Sequence, residues 1–413
     1  MTSDEQADLV ETGKTYLYPN YRQPPLVFVR GQGSRLWDAT GKAYLDLYAG
    51  IAVNALGHCH PDVVAAVREQ SERLMHVSNY YYNEPNVLLA SELCRRAGMA
   101  RALFCNSGTE AIEALLKLAR RHFYQQGQVQ RYNVIAFQNS FHGRTLGALT
   151  ATGQPAYREG FGPLVGVIHV PFGDIAAVEK ALDDTVAGVL VEPVQGEGGV
   201  VPATQEFIER LRSLTSERSA LLLADEIQTG VGRTGKFLAL EHYGIKADAV
   251  ALAKGLGGGF PIGAMLCQEH LSSALPAGSH GSTFGGNPLA SAVARAVLKR
   301  IEKDKLLEHV TELGAHLARR LGELAEKHPR VVARTRGLGL LHALVLQSDV
   351  DTRGVLGALR QAGVLLTIAG GTALRFSPAL TISRAELDEG IALVDSVLAA
   401  VAPKSAATGS ALT

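Results

Sequence analysis

Cysteine is scarce in this chain of 413 residues. Cys59, Cys94, Cys105 and Cys267 are too few and too scattered for a disulfide framework. Cys105 and Cys267 sit in apolar runs and read as small buried residues. A surplus of either charge is also missing: 40 Lys and Arg stand against 40 Asp and Glu. That balance argues against a sequence-independent grip on nucleic acid or on an anionic membrane. No apolar run approaches the ~18 residues of a membrane span. The opening MTSDEQADLVETG is acidic and has neither the basic stretch nor the apolar stretch of a secretory signal, so a cytoplasmic protein is expected. Internal repeats and low-complexity blocks are lacking as well.

What the chain has in excess is glycine, 44 residues, above the usual share of about 7%. Many glycines mean many tight turns and many places where backbone can approach a ligand. At about 150 residues per domain, the length suggests two to three domains. Apolar, β-rich runs occur at Ala102–Cys105, Val134–Phe137, Val167–Val170, Ala187–Val191, Leu221–Ala224, Ala249–Ala253 and Gly263–Cys267. Helical patterns fit between several of them, as at Ala111–Phe123, where Ile112, Leu115, Ala119 and Phe123 share one face. This alternation predicts an α/β fold with a mostly parallel seven-stranded sheet covered on both sides. In such sheets ligands bind at the carboxyl ends of the strands.

The C-terminal part reads as a smaller α+β domain. It has helices near Ala290–Lys303, Leu306–Lys327 and Ser383–Val401, and short strands near Leu338–Leu346 and Thr372–Phe376. Residues 1–56, with strand-like Leu26–Arg30 and Ser34–Asp38, are expected to pack with it. The expected division is 1–56, 57–289, 290–402 and a flexible tail, 403–413.

Three segments carry chemistry. Cys105-Asn106-Ser107-Gly108-Thr109-Glu110 lies between a strand and a helix, and Ser107 and Glu110 have capping-box spacing. Such a helix start suits a phosphate, although an ordinary capped helix would look the same. Asp225 closes the run Leu221–Ala224 and would project into the ligand crevice, where it could hold a protonated ring nitrogen, a metal or a structural ion pair. Lys254 closes Ala249–Ala253 and is followed by Gly255 and Gly257-Gly258-Gly259. Burial there would ease loss of its proton and make it a nucleophile toward carbonyls. A phosphate seat, a carboxylate and such an amine are together what pyridoxal 5′-phosphate requires.

Two other segments mislead. Gly230-Val231-Gly232-Arg233-Thr234-Gly235-Lys236 matches most of a P-loop, but position 237 is Phe, so the Mg²⁺-binding hydroxyl is missing. His58-Cys59-His60-Pro61 lacks the companions of a metal site and reads as a turn before a helix at Asp62–Leu74. No metal site is expected.

The chain resembles the class III (subgroup II) pyridoxal-phosphate aminotransferases of fold type I, and within them the acetylornithine aminotransferases of bacterial arginine biosynthesis. The resemblance runs from about Tyr21 to about Leu380. Its motifs are Ala49–His58, Asn106–Ala111, Asn139–Thr145, Val191–Gly199, Asp225–Gly230, Lys254-Gly255, Gly281–Pro288 and Leu374–Pro378. It implies that Lys254 binds the cofactor aldehyde and then moves the substrate proton. It implies that Asp225 pairs with the pyridinium N–H, Gln228 reaches the ring oxygen and Phe141 stacks on the ring. Ser107, Gly108 and Thr109 would hold the phosphate. Thr283 would complete that seat in the neighbouring subunit of a homodimer, with Ser282 touching substrate.

The same resemblance implies that Arg144 and Arg375 bind substrate carboxylates, a task suited to guanidinium forks. Glu197 would mask Arg375 in the first half-reaction and release it for 2-oxoglutarate in the second. Tyr21 is expected to contact a substrate carboxylate. Gly50 stands where free-ornithine aminotransferases carry tyrosine, which leaves room for an N-acyl group, and Asn79 is expected to line the same side. The implied reaction converts N2-acetylornithine and 2-oxoglutarate to N-acetylglutamate 5-semialdehyde and glutamate. Sister donors are succinylornithine, ornithine, acetyl-lysine and 4-aminobutyrate. A Rossmann-type dehydrogenase is disfavoured because no strand leads into G-x-G-x-x-G and a helix. A non-catalytic protein on an enzyme scaffold is disfavoured by intact Lys254, Asp225, Arg144 and Arg375.

Overall fold

Alternation of side chains along short apolar runs builds the centre of the molecule. In the computed structural model, which describes residues 3–401, the seven runs form one seven-stranded sheet. Its spatial order is Arg101–Cys105, Gly263–Cys267, Ala249–Leu252, Leu221–Asp225, Val186–Val191, Asn133–Phe137 and Val167–Val170. Gly263–Cys267 alone runs opposite to the other six strands. Leu221 and Leu223 point into one apolar cluster, and Leu222 and Ala224 into another on the opposite face. Burial on both faces explains why these strands read as continuous apolar runs.

The helix Gly108–Gln125 covers one face with Ile112, Leu115, Ala119 and Phe123, all buried. Phe207, Ile208 and Leu211 of the helix Gln205–Glu217 belong to the other cluster. Each such side chain contributes roughly 1.5–3 kcal/mol on burial.

Besides a two-stranded pairing of Val194–Gln195 with Val201–Pro202, there are two four-stranded sheets. Phe28–Gln32, Arg35–Asp38 and Ala43–Asp46 form an antiparallel meander that pairs with Val364–Leu365 from near the other end of the chain. Val332–Leu338, Leu341–Leu346, Ala373–Phe376 and Thr367–Ala369 form the other. The expected strand 338–346 is therefore the end of one hairpin arm, Leu338, and the return arm, Leu341–Leu346; the apolar pattern did not reveal the rest of the first arm because Arg334, Thr335 and Arg336 interrupt it. The hairpin turns at Gly339, where φ is 59°.

The expected helix at Asp62–Leu74 is Pro61–Ser71, capped by His60, whose Nδ1 accepts the Asp62 amide at 3.2 Å. His58 instead meets Asp46 at 2.6 Å. Arg233, in the P-loop-like stretch, is buried and donates to the carbonyls of Leu340 and Pro378 at 3.0 and 2.5 Å. That segment ties the central sheet to the C-terminal strands. A helix at Ser3–Tyr16 was not expected; its mostly exposed residues show no apolar stripe. Cys105 and Cys267 are buried. The expected tail, 403–413, lies outside the described residues. Among the described residues no helix is long and apolar enough to cross a membrane.

Candidate active site

Strand ends converge because parallel strands all finish on one edge of the sheet. Asp225 is the last residue of its strand, Lys254 lies two residues past another, and Ser107 two residues past a third. The loop after Asn133–Phe137 carries Phe141, His142 and Arg144. A cavity of about 400 Å³ opens among them, lined also by Gly108, Thr109, Glu197 and Gln228.

Ser107 caps the helix Gly108–Gln125. Its Oγ donates to Glu110 Oε2 at 2.7 Å, and the same carboxylate accepts the Asn106 amide at 2.9 Å. The amides of Gly108 and Thr109 have no protein acceptor among the described residues, which leaves them for an anion at the positive end of the helix. A Cβ on Gly108 would stand 2.9 Å from Ile227 Cδ1, so only glycine lets the helix start sit this close. Thr109 Oγ1 accepts the amides of Arg144 and Thr145, both at 3.3 Å.

Asp225 is 5% exposed. Its Oδ2 lies 2.7 Å from His142 Nδ1, and its Oδ1 accepts the Ile227 amide at 3.0 Å. His142 is buried, its Nε2 has no partner among the described residues, and its own amide donates to Thr152 Oγ1 at 3.0 Å. Glu192, at the end of Val186–Val191, accepts the Phe141 amide at 3.2 Å. Burial first, and the nearby Asp225 carboxylate second, push the Glu192 pKa well above the usual range. Neither His142 nor Glu192 drew a role from the sequence. Glu192 had the same signal as Asp225, an acid closing an apolar strand. His142 had none, because its partner is 83 residues away.

Lys254 adopts φ of 43°, a left-handed conformation costing about 1–3 kcal/mol for a residue with a side chain. Loss of solvation lowers its pKa from 10.5, partly opposed by the Glu197 charge. A less protonated amine is a better nucleophile.

Arg375 is 1% exposed. Its Nη1 donates to Glu197 Oε1 and, at 3.4 Å, to Gln228 Oε1; its Nε donates to Thr367 Oγ1 at 3.1 Å. Arg144 differs. It is exposed, makes no ion pair among the described residues, and lies with its guanidinium carbon 3.8 Å from the Tyr157 ring centre.

Arg375, reached only through Glu197 and Gln228, stands outside the cavity lining, and so do Tyr21, Thr283, Ser282, Asn79 and Gly50. Tyr21 is 75% exposed, and Thr283 is exposed. Ser282 Oγ accepts from Asn106 Nδ2 at 3.2 Å. Asn79 spends its amide on the carbonyls of Ser282 and Gly285, at 3.0 and 2.9 Å, and so holds that loop. Gly50 belongs to a left-handed turn, Ala49 to Ala52, in which all four residues have φ between 47° and 65°. A Cβ there would stand 3.1 Å from Asn54 Nδ2. A larger side chain at position 50 would have to displace Asn54 as well as take up this backbone.

The donor set fits pyridoxal phosphate: free helix-terminal amides, an enclosed carboxylate fixed by an imidazole, and a lysine of lowered pKa in one cavity. The chain belongs to the class-III aminotransferases, whose family model matches residues 16–398, and these enzymes use pyridoxal phosphate. Among relatives, it is 49% identical over 391 residues to an acetylornithine aminotransferase of Myxococcus xanthus, covering 94% of this chain and 97% of the relative. Its fold matches an ornithine aminotransferase of Toxoplasma gondii at a TM-score of 0.93 and 34% identity, over 97% and 96% of the two chains. It matches an N-acetylornithine aminotransferase of Stenotrophomonas maltophilia at 0.82 and 37%, over 95% and 98%.

Proposed function

We propose that this aminotransferase moves the δ-amino group of N2-acetylornithine to 2-oxoglutarate, leaving N-acetylglutamate 5-semialdehyde and glutamate. The observation that carries the reading is the contrast between its two arginines. Arg144 makes no ion pair among the described residues and is open at the cavity, while Arg375 is buried and masked by Glu197. A donor whose reacting amine is far from its carboxylate needs one arginine; 2-oxoglutarate, with two carboxylates, needs both. Agreement with the names of the Myxococcus and Stenotrophomonas relatives supports the same donor.

Pyridoxal phosphate, when bound, supplies an electron sink for the carbon that loses its proton. Ser107, Gly108 and Thr109 would hold its phosphate, and Phe141 would lie against its ring. Asp225, oriented by His142, would keep the ring nitrogen protonated. Gln228 would serve the ring oxygen. Lys254 Nζ takes the proton from the donor carbon and returns it elsewhere, as a general base and then a general acid. Arg144 fixes the donor carboxylate, and Glu197 swings off Arg375 when the dicarboxylate arrives.

The active enzyme is a homodimer in this reading, with Thr283 and Ser282 serving the neighbouring site and Tyr21 meeting substrate there. Support comes from large exposed apolar side chains such as Tyr16, Tyr18, Tyr80, Tyr82 and Phe284, since extensive exposed apolar surface marks interfaces. The division of the chain near residues 57 and 290 is supported by sheets that share no strand. Four free cysteines suit the cytoplasm.

The likeness to the Toxoplasma enzyme keeps unacylated ornithine as a second reading. Initial rates with N2-acetylornithine, succinylornithine, ornithine, acetyl-lysine and 4-aminobutyrate decide between them. The first donor should give the highest kcat/KM. Preference for ornithine or 4-aminobutyrate rejects the proposal, and borohydride reduction of the holoenzyme that leaves Lys254 unlabelled rejects the site.

A further inference from the structure

We propose that Tyr157 is the positioning residue that presents Arg144 to the substrate carboxylate, and so sets the enzyme's demand for a carboxylate-bearing donor; this rests on the substrate role given to Arg144 above. An exposed arginine without an ionic partner samples many rotamers, and ordering it on binding costs free energy. Here the guanidinium carbon lies 3.8 Å from the centre of the Tyr157 ring and 5.6 Å from that of Phe141. The two rings meet edge to face, 6.1 Å apart at 87°. The Tyr157 ring thus bridges the cavity wall and the arginine. A stacked guanidinium keeps its in-plane N–H groups free for a carboxylate fork, which an ion pair at the same place would occupy.

The platform is itself anchored. Tyr157 lies in the short helical turn Pro155–Arg158, and its amide donates to Gln154 O at 3.1 Å. The adjoining Gly153 amide donates to Ser140 O at 3.1 Å and lies 3.0 Å from Ser140 Oγ, while the Asn139 amide donates to Gly153 O at 3.0 Å. These bonds fasten the Tyr157 segment to the loop that carries Phe141 and Arg144. At its backbone, Arg144 is held by Thr109 Oγ1 at 3.3 Å. Both ends of the side chain are therefore referenced to the phosphate-binding helix start and the cavity wall.

The test compares two donors on the holoenzyme: N2-acetylornithine and N-acetyl-1,4-diaminobutane, which is the same amine without the carboxylate. Tyr157→Leu should raise KM for N2-acetylornithine about 10-fold with kcat nearly unchanged, the size expected for a partly desolvated cation–π stack. With 2-oxoglutarate left out, because it also uses Arg144, the half-reaction of the carboxylate-free donor should run as with the wild type, and Tyr157→Phe should restore the wild-type KM. Equal losses on both donors, or no rescue by Phe, would show a merely structural role and overturn the proposal. A wild-type KM in Tyr157→Leu also overturns it; if Arg144→Ala then still loses discrimination between the donors, the substrate role of Arg144 stands without Tyr157. Discrimination that survives Arg144→Ala overturns both.

Discussion

Replacing Glu197 by Gln takes a negative charge away from a buried arginine while keeping the size of the side chain and one acceptor oxygen. In the wild-type protein the Arg375 side chain is 2% exposed and that of Glu197 is 21% exposed. A dicarboxylate or α-amino acid that needs Arg375 must first displace Glu197. Breaking a fully buried pair costs about 3–5 kcal/mol. One partner here is partly solvated, Thr367 and Gln228 stay bonded to the guanidinium, and the arriving carboxylate replaces most of the lost attraction. A net barrier of about 1.4–2.7 kcal/mol is a reasonable remainder, or roughly 10- to 100-fold in kcat/KM.

The variant should therefore gain about that factor for glutamate in the reverse half-reaction, while N2-acetylornithine, which leaves the pair closed, gains nothing. Single-turnover absorbance changes of the bound cofactor, followed with each donor, separate the two half-reactions. A glutamate to N2-acetylornithine ratio unchanged within about 3-fold would refute a gate worth 1.4 kcal/mol or more. Thermal unfolding should show a lower midpoint for Glu197→Gln, because Arg375 loses its countercharge.

Glu226 is buried and its pKa is raised to about 7, chiefly by loss of solvation, despite donors from Thr229 and the Leu240 amide. The folded state then binds more protons than the unfolded one between about pH 4.5 and 7, so its contribution falls as pH rises through that window, by ~3 kcal/mol in all. Glu226→Gln should flatten the denaturation midpoint over this range; an unchanged slope contradicts the assignment. Lys254 has the opposite sign. Its lowered pKa means the folded apoenzyme binds fewer protons than the unfolded chain below 10.5, so apoenzyme stability should rise with pH as that value is approached. Lys254→Met should abolish both this rise and turnover, as denaturation curves and the donor assay would show. Gly108→Ala must push back Ile227 and crowd the helix start. It should weaken cofactor binding about 10-fold, measured by dialysis and reconstitution, at a stability cost of about 1–3 kcal/mol.

Much of this architecture could be read before any contact was known. Continuous apolar runs such as Leu221–Ala224 and Ala187–Val191 appear wherever both faces of a strand are covered, and that condition leaves a strong local pattern. The helix at Leu306–Lys327 is recovered residue for residue, because its apolar stripe ends where the helix ends. By contrast Ser3–Tyr16, mostly solvated, and the first arm of the Val332–Leu346 hairpin leave no stripe to detect.

The candidate site divides in the same way. Ser107, Asp225 and Lys254 were legible because each stands where a strand stops and a turn begins, so local order alone gives them a place at the sheet's edge. That logic cannot show that His142 fixes Asp225, that Glu197 closes on Arg375, or that Tyr157 lies under Arg144. The first two join residues 83 and 178 positions apart, and the last rests on how one surface turn is fastened to another. Local hydrophobic order thus decided the sheet and the residues at its carboxyl edge. The protonation, masking and orientation of those residues depend on distance and burial, and only the packed tertiary structure sets those.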